Sequence, residues 1–120
     1  MVKLILIGLG IGAVSGAVAA LCGVGGGIIL VPAFAYFLGL SHKAAVATSL
    51  AVIIPTAIAA TVKNHSNTLV DWKVALATSV GAIVLAWFAA DALKTWDTLF
   101  LKRIFAVVLL LVGLKMLFEK

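Results

Sequence analysis

Long uncharged apolar stretches, separated by short clusters of charge, make up this chain. The charged and histidine side chains fall at Lys3, at His42 and Lys43, from Lys63 to Lys73, from Asp91 to Arg103, and from Lys115 to Lys120. The stretches between them run over about 4–21, 28–38, 44–62, 72–90 and 99–118. A helix needs about 20 apolar residues to cross the hydrocarbon core of a bilayer. Four of the five stretches approach that length, and the second is about half of it. No stretch alternates polar and apolar positions as a membrane barrel strand would. Backbone groups in lipid must be satisfied within each segment, so helices are predicted throughout. The expected fold is an all-α integral membrane protein with four to five transmembrane segments, forming one domain over 1–120.

Composition strengthens this reading. Of 120 residues, 65% are hydrophobic and 11% charged, where a soluble domain carries about 25% charge. Too little polar surface exists to cover a globule, so lipid is the solvent for much of the chain. The start of the sequence, one lysine and then an apolar run, resembles a signal peptide. However, Leu21 precedes Cys22 where a lipoprotein cleavage site wants a small residue, and the apolar pattern continues well beyond it. The first stretch is therefore expected to be retained.

The net charge of +5 comes from interfacial Lys and Arg rather than from a basic stripe, and no nucleic-acid partner is expected. If segments one and two count as a single crossing, Lys3, Lys63, Lys73, Lys115 and Lys120 share one side. If segment two crosses, Lys3 joins Lys43, Lys94, Lys102 and Arg103 instead. Either count divides the nine basic residues five to four, so the bias that usually orients a membrane protein is almost absent. Trp72, Trp87 and Trp96 lie near segment ends, where an indole suits the headgroup region.

The strongest local feature is Gly23-Val24-Gly25-Gly26-Gly27. Each glycine costs a helix interior about 1 kcal/mol against alanine, so the helix is predicted to break here. Irregular backbone at membrane depth survives only inside protein or beside a wet cavity. The next helix would start near Ile28, directing its free N–H groups and positive dipole end into the break, an arrangement that attracts anions. The same glycines also suit close helix packing or a surface turn, and the residues alone leave both readings open.

Gly8, Gly12, Gly16 and Ala20 recur every four residues along one face of segment one, a spacing that lets helices approach closely. Ser15 lies beside that stripe. Thr48 and Ser49 start segment three, and Pro55-Thr56 follow about two turns later. These hydroxyls either bond back to their own helix or line a cavity facing the glycine break, and Thr78 and Ser79 carry the same two readings. His65, with Lys63 and Asn64, stands in the predicted loop after segment three. Asp71 has the place of a helix cap. Cys22 adjoins the break as the single cysteine, giving no disulfide framework.

No Asp, Glu, Lys or Arg lies in the middle of a segment, so a pump built on an intramembrane carboxylate has no candidate. Neither a His/Cys metal spacing nor a nucleophile elbow is present. Neither a metal, a cofactor nor an enzymatic activity is expected.

The run Gly16 to Pro32 with GVGGGIILVP, then AVATSL at Ala45 to Leu50, VDW at Val70 to Trp72, and RIFAVVLLLVGLKML at Arg103 to Leu117 together resemble the TauE/SafE family of sulfite and organosulfonate exporters. The resemblance covers nearly the whole chain. It implies transport of small sulfur-containing or carboxylate anions across a bacterial or archaeal inner membrane. It also implies half of a two-repeat transporter, since one GVGGG and one ATSL are present, and hence a homodimer. Carried over residue by residue, the resemblance puts Ser15, Cys22, Gly25, Gly26, Gly27, Thr48, Ser49 and His65 near the pathway. Gly25 to Gly27 would donate backbone N–H groups to an oxyanion, and Thr48 and Ser49 would add hydroxyls. One departure is Leu69, where the family pattern often has a small residue. Two alternatives are a small dual-topology anion channel, and a non-transporting half that needs a different partner subunit.

Overall fold

The computed structural model describes residues 1–119, and Lys120, counted above among the basic residues, lies outside them. Five helices make up the described chain: α1 (Val2–Cys22), α2 (Gly27–Phe37), α3 (His42–Ser66), α4 (Trp72–Thr95) and α5 (Thr98–Phe118). The chain is an all-α membrane protein. α1, α3 and α4 are each long and apolar enough to cross a bilayer. α2, with 11 residues, rises about 16 Å, roughly half the hydrocarbon thickness. α5 has 21 residues, but Lys102, Arg103 and Lys115 confine its uncharged stretch to Ile104–Leu114. Its ends can reach the interface only if those long side chains snorkel.

The glycine break reverses the chain. α1 closes on Gly23 at φ 72°, whose N–H donates to the Ala19 carbonyl at 2.8 Å. This is the left-handed helix end that glycine accepts without a Cβ penalty. Gly25 and Gly26 follow at φ 73° and 79°, and α2 then runs back beside α1. Gly26 lies against Ser15 and Ala19, while Ile11 packs on the core cluster of Leu30, Val31, Phe34 and Ala45. Gly39, at φ 68°, turns the chain again, and Ser41 caps α3 by accepting from the Ala44 N–H at 3.2 Å.

α3 is the central element, packed against α2, α1 and α5. Small or slim residues recur on its inner face, Ala45, Ser49, Ile53, Thr56, Ala60 and Asn64, all buried or half-buried. α3 continues through Pro55 and ends only at Ser66, one turn beyond the expected boundary at 62. Lys63, Asn64 and His65 therefore belong to the helix, not to a loop. Asp71 caps α4, accepting from the N–H groups of Lys73 at 3.1 Å and Val74 at 3.2 Å. α4 and α5 bury no residue within the subunit. Near its end α4 meets α3, where the Lys43 ammonium donates to the Lys94 carbonyl at 3.3 Å.

Candidate functional site

The site is built on the contact between the glycine turn and the inner face of α3. A β-carbon added to Gly26 would stand 3.2 Å from the Ser15 carbonyl oxygen and 3.5 Å from the Ser15 Cβ. The turn can approach α1 this closely only because Gly26 has no side chain and accepts φ 79°. On the other side, a β-carbon at Gly25 would meet the Ile53 side chain at 3.5 Å, so the turn is wedged between α1 and α3. The first helical acceptor of α2 is the Gly26 carbonyl, which receives the N–H of Ile29 at 3.0 Å and of Leu30 at 2.8 Å. The N–H groups of Gly27 and Ile28 precede those bonds and have no acceptor in the preceding turn of a helix.

A crevice of about 190 Å³ opens beside the turn. One wall is the end of α1 and the turn itself, with Ala19, Ala20, Gly23 and Gly25. The opposite wall is the second half of α3, where Thr56, Thr61 and Asn64 contribute polar atoms and Ala57 and Ala60 leave room. Thr56 donates its hydroxyl proton to the Val52 carbonyl at 2.9 Å, so toward the crevice its oxygen is an acceptor. The Asn64 amide carries both donors and an acceptor. Among the described residues, no charged side chain lines the crevice. Its electrostatics come from amide and hydroxyl dipoles and from the nearby N-terminal end of α2, which carries about half a positive charge.

Of the residues expected near the pathway, Gly25 alone lines this crevice. Gly26 and Gly27 hold the turn against its walls, with a β-carbon at Gly27 3.7 Å from Ile53. Ser15 and Ser49 are each 2% exposed, and both hydroxyls bond back to their own helix. Ser15 donates to the Gly12 carbonyl at 3.2 Å and Ser49 to the Val46 carbonyl at 2.7 Å. Both hydroxyls are thus engaged by their own helices, and Ser15 lies directly under Gly26. Thr48 is exposed and lies off the inner face that Ser49 shares. Cys22 is an exposed free thiol. His65 stands on the last turn of α3, where its Nδ1 accepts from the Trp72 indole N–H at 3.0 Å and its ring meets Trp72 edge-on at 5.5 Å. That pair ties the end of α3 to the start of α4, one residue beyond Asn64.

Thr61 was not singled out in the sequence, and Asn64 and Thr56 stood there only as neighbours of more prominent residues. A spacing signal does exist: Thr56, Ala60 and Asn64 follow one another at i+4 and so share a helix face. The glycine stripe is also resolved. A β-carbon at Gly8, Gly12 or Gly16 would meet nothing within 4 Å, so this face of α1 is open rather than packed within the subunit.

The model for the sulfite exporter TauE/SafE family matches residues 2–120. The chain belongs to the TauE/SafE family. Within 113 aligned residues it is 31% identical to the probable membrane transporter protein YunE of Bacillus subtilis (strain 168), a match covering 94% of this chain and 41% of that protein. The chain therefore spans less than half the length of that relative. No solved structure matches it. The glycine turn and its crevice place polar groups between α1 and α3, two helices long and apolar enough to cross a membrane.

Proposed function

We propose that this TauE/SafE chain is a permease for small anions, sulfite and organosulfonates foremost, and that they pass the crevice between the glycine turn and α3. The observation that carries this reading is the crevice itself, polar but uncharged, beside the positive end of α2. The Asn64 amide and the Thr61 hydroxyl can donate to an oxyanion without holding it as tightly as a fixed lysine would. Transport needs a site that the ion can also leave. No covalent step is needed. The membrane concerned is the bacterial or archaeal inner membrane.

The working unit is a homodimer of this chain. Support comes from surfaces that the chain leaves largely uncovered: the open glycine face of α1, and α4, which buries no residue. A pathway between two repeats, as in other transporters of this general design, would use such faces. The same surfaces also suit a different homologous half as partner.

The test is uptake of labelled sulfite into liposomes that contain the purified chain alone, with chloride and taurine as competitors. Saturable uptake that unlabelled sulfite suppresses and chloride does not is the expected result. Chloride flux faster than carrier turnover would replace the permease with a channel. No flux from folded protein would refute the homodimer and favour the heterologous half.

A further inference from the structure

A second groove, of about 320 Å³, lies on the outer side of the bundle between α2 and α5. Its residues are graded along the helix axes. Tyr36 lies in the last turn of α2, His42 starts α3 and Lys102 sits in the second turn of α5, and all three line the groove at one end of the bundle. Towards the bundle centre the lining becomes Val31, Pro32, Ala106 and Leu109. From Lys102 to Leu109 the helix rises about 10 Å. Phe105 closes the back wall and meets the His42 ring edge-on at 6.0 Å. Among the described residues, no Asp or Glu lines the groove.

We infer that this groove is a binding site for an anionic phospholipid, with the phosphate at Lys102 and His42 and an acyl chain along Pro32, Ala106 and Leu109. A cation and a hydrogen-bonding imidazole above an apolar trough match the order of groups along such a lipid. Lys102 lies two residues before the uncharged part of α5, near the level at which a snorkelling lysine meets headgroups. The other charges at this end are unequal: Lys43, Lys94 and Arg103 accompany Lys102, against Asp91 and Asp97. The surplus is positive, and anionic headgroups complement it. A free inorganic anion would use the mouth but gain nothing from the trough.

The experiment is native mass spectrometry of the detergent-solubilised chain with equimolar phosphatidylglycerol and phosphatidylcholine of identical acyl chains. One lysine beside an anionic lipid corresponds to about a fivefold preference, and that preference is the expected result. Lys102→Gln brings the ratio to parity, while Lys73→Gln, at the opposite end of the bundle, leaves it unchanged. Ala106→Trp fills the trough and lowers retention of both lipids with the headgroup cations intact. Equal retention of the two lipids by the unmodified chain would overturn the assignment. So would the same loss in Lys73→Gln, displacement by glycerol phosphate, or unchanged retention in Ala106→Trp. A dimer that Ala106→Trp dissociates would assign the groove to a second copy instead.

Discussion

Replacing Gly26 by valine is expected to abolish transport by unseating the glycine turn. Two costs add at this position. The backbone stands at φ 79°, a left-handed conformation that costs a residue with a β-carbon about 1–2 kcal/mol and a β-branched one more. The added β-carbon would also press on the Ser15 carbonyl at 3.2 Å, a main-chain atom that cannot rotate away. Overpacking of this kind typically adds about 1–3 kcal/mol. Gly26→Val should therefore lower stability by roughly 3 kcal/mol or more, read as a fall in the thermal midpoint of the detergent-solubilised chain. Gly23→Ala is the control. Its φ is 72°, but nothing lies within 4 Å of the added carbon, so only the conformational cost of about 1–2 kcal/mol applies. Equal effects at the two glycines would show that contact with Ser15 is not what makes Gly26 necessary.

The second large effect is expected from stripping the polar wall of the crevice. Thr61→Val with Asn64→Leu keeps the side-chain volumes close but removes a hydroxyl donor and the amide from the crevice wall. An anion entering the crevice then loses hydrogen bonds to a desolvated site, and each charge-assisted bond contributes about 1.5–3 kcal/mol. Sulfite uptake should fall at least about tenfold, chiefly through a higher KM, while the thermal midpoint stays near that of the unmodified chain. The fold has little reason to suffer, because Thr61 is exposed and Asn64 only half-buried. Unchanged uptake would remove Thr61 and Asn64 from the pathway. Thr48→Val gives a useful reference, since Thr48 is exposed and away from that wall.

The helices were legible because charge interrupts apolar runs at intervals that match membrane spans. Their boundaries were less so. α3 extends over Lys63–His65, although those residues read as a loop, because polar side chains in a last helical turn cost nothing at an interface. Chain reversal at Gly25 and Gly26 could not be chosen from sequence, since a glycine run allows a turn or a helix break equally well. The face each helix turns inward was the hardest to read. α1 is apolar on nearly every side, so periodicity carries almost no information about its buried face. Hence the inward Ser49 and the exposed Thr48, one residue apart, looked alike in the sequence, and the wall formed by Thr56, Thr61 and Asn64 emerged only once α1 and α3 were paired in space.

The most direct test of the account is sulfite uptake by the unmodified chain beside Ala60→Phe, reconstituted at equal density. Ala60 lines the crevice, so a phenyl ring there occupies the space without disturbing the buried contact between Gly26 and Ser15. Saturable uptake by the unmodified chain and its near-complete loss in Ala60→Phe, with both proteins equally folded, is the expected result. Equal uptake by the two would contradict it, because the anion would then cross somewhere other than the crevice at the glycine turn.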